Sequence, residues 1–85
     1  MAFVYIIKTK IGGYYIGSTT DIKSRLEHHK GGFTPSTKRL GFDSCVLIQE
    51  YETLSEARKI ESKLKKFKKK DFIDKIVLEG YIRVL

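Results

Sequence analysis

The 85-residue chain has one cysteine, no apolar run long enough to span a bilayer, no internal repeat and no low-complexity tract apart from a lysine run. Each absence excludes something. With Cys45 alone, an intramolecular disulfide is impossible, and its place beside Val46 without an activating motif reads as a small core hydrophobe rather than a nucleophile. The apolar start Ala2 to Ile7 is too short for a signal h-region or a membrane span, so a soluble cytoplasmic protein with no membrane partner is expected. No linker divides the chain, and its length predicts one domain over 1–85 with a single small core.

What is present is apolar enough to fold and strongly basic. Hydrophobic residues make up 41% and aromatics 12%, which argues against a disordered tail. The net charge is +7, and its location is informative. Arg58 to Lys70 carries eight basic residues against Glu61 alone, while the other positions hold nine of each sign and cancel. All the excess charge therefore belongs to one segment. It reads either as a solvated helix face or as a surface for a polyanion, with Lys63 and Lys66 as candidate nucleic-acid contacts.

The order of elements follows from pattern. Phe3 to Ile7 and Tyr14 to Ser18 are β-branched and aromatic runs joined by Lys10-Ile11-Gly12-Gly13, which predicts a hairpin with Tyr5 and Tyr15 in adjacent strands. Both faces of the first run are apolar, so it reads as a central strand covered on each side. Gly12-Gly13 suits positive φ, and Gly17 reads as a bulge or as a place of close approach by backbone or ligand. A helix is expected from Thr20 or Asp21, capped by the side chain there and stopped left-handed at Gly31-Gly32. Ile22, Arg25, Leu26 and His29 share its apolar stripe. Taken alone, Arg25 is a snorkelling side chain at the stripe's edge and His29 a helix-end histidine favoured by the macrodipole.

Gly31 to Asp43 reads as a loop whose Thr34, Ser36, Thr37, Lys38 and Arg39 could contact phosphate, as could any exposed loop of that composition. Cys45 to Ile48, continuing into Tyr51, predicts a third strand buried on both faces. Thr53-Leu54-Ser55-Glu56 fits a capping box, opening a helix with Ala57, Ile60, Leu64 and Phe67 inward. Glu61 lies on that stripe, so its carboxylate must be paired with Arg25 or a lysine, hydrogen-bonded, or bound to a cation. Asp71 to Leu78 predicts a third helix with Phe72, Ile73, Ile76 and Val77 inward, stopped by Gly80. The tail Tyr81 to Leu85 reads equally as an edge strand or as loosely packed chain.

Val4-Tyr5, then Tyr15-Ile16-Gly17, then a helix bearing Arg25 and His29, then Glu61 on a later helix, together resemble the GIY-YIG nuclease superfamily. Within it the chain is most similar to small stand-alone bacterial proteins related to the catalytic domain of the excision-repair nuclease subunit. The resemblance spans Phe3 to Lys70 and implies an α+β fold, a small three-stranded antiparallel sheet flanked by helices in β-β-α-β-α-α order. It also implies an endonuclease that hydrolyses DNA phosphodiester bonds in repair or processing, with one divalent metal, Mg2+ or alternatively Mn2+. Carried over by position, Tyr5 or Tyr15 would activate the attacking water and Arg25 would neutralise charge on the phosphate. His29 would position or deprotonate the nucleophile, and Glu61 would hold the metal. A free tyrosine has a pKa near ~10, so acting as a base near neutrality requires cationic charge beside it.

Two departures stand out. The first motif reads Phe3-Val4-Tyr5 rather than Gly-Ile-Tyr, and many members use an asparagine after the metal glutamate, whereas this chain has none. Family nucleases also often borrow a separate recognition domain, so a protein partner could supply specificity. The alternative reading is a non-catalytic nucleic-acid-binding module on the same fold, with Glu61 structural. A protein-interaction subunit with merely solvated lysines is a third.

Overall fold

A computed structural model describes residues 1–31, 41–67 and 70–82. Three strands, β1 (Ala2–Thr9), β2 (Tyr14–Thr19) and β3 (Phe42–Tyr51), form one antiparallel sheet in the order β2-β1-β3. Helices α1 (Ile22–Lys30), α2 (Leu54–Phe67) and α3 (Lys70–Glu79) complete the β-β-α-β-α-α order expected from the residues. None of the helices among the described residues is long and apolar enough to cross a membrane.

The hairpin explains why β1 is central. Its four-residue connection is closed by Thr9, whose backbone N–H donates to the Gly13 carbonyl at 2.9 Å and whose carbonyl accepts from Gly12 N–H at 3.1 Å. The Thr9 side chain adds contacts of 3.1 Å to Gly13 N and O, and Gly12 takes φ +92°. With both neighbours paired, β1 satisfies its backbone on each side and can bury both faces. Ala2, Val4 and Ile6 on one face are fully buried, as are Tyr5, Ile7 and Thr9 on the other.

The first of these faces carries the main core. Ile16 and Leu47 extend it across the sheet, and Ala57 and Leu64 of α2, Ile73 and Ile76 of α3, and Ile82 cover it. The Thr53 hydroxyl starts α2 by accepting from Glu56 N–H at 3.1 Å, the threonine half of the expected capping box. Phe72 and Val77 pack half-buried against the same core, and Gly80 ends α3 at φ +83°. The chain end is tied to the edge of the sheet through Gln49, whose amide accepts from Ile82 N–H at 2.6 Å and donates to its carbonyl at 3.1 Å. Residues 83–85, part of the tail left open above, lie outside the described residues.

Two expectations are corrected. β3 is not buried on both faces: of Cys45 to Ile48 only Leu47 is buried, and Ile48 is 46% exposed. The strand order leaves it at the sheet edge, without a neighbour on its far side among the described residues. It also begins at Phe42 rather than Cys45, because Gly41 at φ +79° turns the chain into register with Thr9. Helix α1 reaches Gly31 still right-handed, at φ −78°, with its N–H donated to the Glu27 and His29 carbonyls, while Gly32, the other half of the expected left-handed stop, lies outside the described residues. Its start is as read, with the Asp21 carboxylate accepting from Ser24 N–H at 3.1 Å.

Candidate active site

The site is built from a cross-strand pair. Tyr5 lies opposite Gly17 in the β1–β2 register, and that register runs unbroken from Phe3–Thr19 to Lys8–Tyr14. Gly17 is therefore no bulge. A Cβ placed there would sit 2.3 Å from the Tyr5 hydroxyl and 2.5 Å from Cζ, so the phenol folds across its partner and occupies the volume a side chain would need. The requirement is space, since the φ of Gly17 is not positive. Close approach was the right half of the alternative, and what approaches is Tyr5 itself.

His29 meets the same phenol from above. It is fully buried, and its Nε2 lies 3.0 Å from the Tyr5 oxygen. Burial pushes the imidazole below its ordinary value, with the nearby charges of Arg25 and His28 adding to the effect, so the ring is neutral near pH 7. That overturns the macrodipole reading, which needs an exposed imidazolium. Tyr5 moves the other way. Burial raises its pKa well above the usual phenol range, Tyr15 and Glu61 adding to the rise, while Arg25 opposes it by charge and by a side-chain hydrogen bond. The Tyr5 hydroxyl and His29 Nε2 share one hydrogen bond, and the tautomer of the neutral imidazole sets which of them donates. Arg25 itself is exposed on α1.

Tyr15 completes an aromatic cluster on this face. Its ring centroid is 5.0 Å from His29 and 6.5 Å from Tyr5, and it is half-buried where they are fully buried. Of the two tyrosines, only Tyr15 has appreciable access to solvent.

Glu61 reaches the cluster from the other side of the sheet. Ser18 pairs with Val4 and so points toward α2, where its hydroxyl donates to Glu61 Oε1 at 2.5 Å. Lys65, one helical turn on, lies 2.6 Å from Oε2 and holds its Nζ 6.0 Å from the Tyr15 ring centroid. Of the partners weighed for Glu61, the structure selects a lysine and a hydroxyl rather than Arg25. Edge strand β2 makes this possible, since a residue beyond its rim reaches both faces.

The structure thus brings Tyr5, Tyr15, His29 and Arg25 together on one face, with Glu61 linked to them around the β2 edge. Lys63 and Lys66 lie exposed on α2. Lys38 and Arg39 lie outside the described residues. No group of three or more His, Cys, Asp or Glu side chains is placed to hold a metal ion among the described residues. Sequence reading missed Ser18 and Lys65. The i, i+4 spacing of Glu61 and Lys65 was a usable signal for the second, but nothing local marked Ser18.

Two tyrosines on paired strands, with a carboxylate delivered by a later helix around the sheet edge, define the frame of a nuclease-type domain. Residues 1–75 match the GIY-YIG catalytic domain, and the chain belongs to that family. Similar proteins include a UPF0213 protein of Listeria welshimeri, 36% identical over 70 residues that cover 81% of this chain and 78% of the relative. A UPF0213 protein of Staphylococcus aureus is 36% identical over 66 residues, 76% of this chain and 80% of the relative. Among solved structures, the solution NMR structure of a UPF0213 protein from Bacillus halodurans aligns with a TM-score of 0.59 at 28% identity, covering 94% of this chain and 87% of that one. Of the departures from the family pattern, Phe3 and Val4 are half-buried and buried packing residues.

Proposed function

We propose that this protein is a metal-dependent endonuclease that hydrolyses DNA phosphodiester bonds in repair or processing in the cytoplasm, with Tyr5, Tyr15, Arg25, His29 and Glu61 as its working residues. The observation that carries this reading is the graded exposure of the cluster: a buried, hydrogen-bonded Tyr5–His29 pair lies beneath a half-buried Tyr15 and an exposed Arg25. Tyr15 is the residue that meets the attacking water: having first given its own phenolic proton to solvent, it takes the water's proton as the phenolate. Tyr5 and His29, closed off from solvent, hold that ring in place. The Arg25 guanidinium, free of neither charge nor donors at any ordinary pH, then neutralises the phosphate as negative charge builds on it.

Glu61 is the residue for a divalent ion, magnesium or manganese. Its side chain is 20% exposed, and its carboxylate already binds one cation, the Lys65 ammonium, whose place a divalent ion would have to take. A hydrated magnesium ion needs only one or two protein carboxylates, so a lone glutamate fits once Lys65 gives way. When bound, such an ion supplies Lewis-acid stabilisation of the transition state.

The same Lys65 contact favours a second reading, a nucleic-acid-binding module in which the ammonium neutralises Glu61 permanently and the basic helix does the binding. Cleavage separates the two. With magnesium or manganese present, wild-type protein cuts a panel of DNA structures and Glu61→Gln binds them equally well without cutting. If neither protein cuts any DNA or RNA substrate while both bind, the binding module is the correct description.

A further inference from the structure

A half-open cavity of ≈ 420 Å³ lies against the β2 edge, between that strand and helices α2 and α3, and shares only Tyr15 and Lys65 with the site described above. Its volume is within the range of small-ligand pockets. The floor is apolar, formed by Leu64 and Ile73, both buried members of the core. Tyr14 and Tyr15 line it, as do the two ammonium-bearing side chains Lys65 and Lys70. The nearby acid Asp74 accepts the Tyr14 hydroxyl hydrogen bond, which fixes that ring against α3.

This combination defines the ligand chemically. An apolar floor with aromatic walls takes a flat ring, and Lys70, beside a Lys65 already shared with Glu61, takes an anion attached to it. A nucleotide has both parts. Tyr15 and Lys65 belong at once to the cavity and to the cluster around Glu61, so a ring seated here is adjacent to the place where a phosphate would be cut. From these contacts the geometry points to a binding pocket for one unpaired nucleotide of the nucleic-acid substrate, next to the scissile phosphate. The inference rests on the nuclease reading for that position, but not for the binding itself. A base stacked in a duplex cannot enter without leaving the stack, so the pocket makes the protein prefer bulged or single-stranded sites over matched duplex.

The test uses metal-free protein and involves no cleavage, so its outcome is independent of whether the protein cuts. Adenosine monophosphate, adenosine and inorganic phosphate are titrated separately into isotope-labelled wild type, Lys70→Gln and Tyr14→Ala while backbone amide NMR shifts are followed. Adenosine monophosphate is expected to shift the amides of Gly13 to Ile16, Leu64 and Ile73, to bind more tightly than either fragment, and to weaken at least threefold in Lys70→Gln. In fluorescence anisotropy, a duplex with a one-nucleotide bulge is expected to bind roughly tenfold more tightly than its matched counterpart, with Tyr14→Ala erasing the difference. Equal binding of phosphate and nucleotide at the same amides, or equal affinity for bulged and matched DNA, overturns the inference. Because Lys70 is exposed, its variant keeps the test valid even if Tyr14→Ala unfolds.

Discussion

Replacing Gly17 by alanine should damage this fold out of proportion to the one methyl group added. The backbone there accepts alanine, but its Cβ would lie 2.3 Å from the Tyr5 hydroxyl and 2.5 Å from Cζ, and Tyr5 is only 1% exposed, so the ring has nowhere to retreat. Overpacking of a buried site costs about 1–3 kcal/mol. A shifted phenol also leaves the 3.0 Å contact to buried His29, adding roughly 1 kcal/mol. The expected loss is therefore about 2–4 kcal/mol, a fall in Tm of at least ~8 °C for a domain of this size. Urea unfolding of wild type, Gly17→Ala, Tyr5→Leu and the double variant isolates the cause. In the Tyr5→Leu background the phenol is gone, and alanine should cost less than ~0.5 kcal/mol or even stabilise slightly by restricting the unfolded chain. An equal cost in both backgrounds would refute the idea that Tyr5 is what Gly17 accommodates.

Two further outcomes follow from the charges. Because burial holds His29 below its ordinary value, the unfolded chain takes up a proton first, near pH ~6.5. The contribution of His29 to stability is complete above that pH and is lost as pH falls toward the depressed folded value, by up to ~1.4 kcal/mol per pH unit. Urea midpoints between pH 7.5 and 5 should show this fall in wild type and a shallower one in His29→Gln; identical slopes would mean that His29 is not the group responsible. Lys63 and Lys66, exposed on the basic helix, should each contribute a phosphate contact. Lys63→Gln and Lys66→Gln then each reduce the slope of log K against log salt for duplex DNA by about 0.9, measured by anisotropy across a salt series, with no change in slope counting against that surface.

Local chemistry explains which features were legible in the sequence. The Asp21 and Thr53 caps, the Gly80 stop and the four-residue hairpin connection each depend on neighbours within a few positions, and all stand as read. The proximity of Tyr5 and Tyr15 followed from strand pairing, although the register makes them diagonal neighbours, with Gly17 and Ile7 as their direct partners. What was not legible depends on the third dimension. Nothing around Cys45 to Ile48 tells that the strand will lie at an edge, because that is decided by which side of β1 it joins. His29 carried two opposite readings until the Tyr5 phenol was placed beneath it. Ser18 gave no signal, since its meaning comes from α2, 43 residues away along the chain. The charge run, by contrast, was visible at once, but composition alone could not show that Lys65 turns from the helix face to Glu61 and Tyr15.

The most direct test of the central claim is single-turnover cleavage of labelled DNA with magnesium or manganese by wild type, Tyr15→Phe and Tyr5→Phe, each purified free of contaminating nucleases. Wild type should cut, and Tyr15→Phe should lose cutting while keeping its fold and its affinity for DNA. Tyr5→Phe should retain some activity, because Tyr5 acts by holding Tyr15 in place. Cutting by Tyr15→Phe at the wild-type rate, or no metal-dependent cutting by wild type on any substrate, would contradict the account.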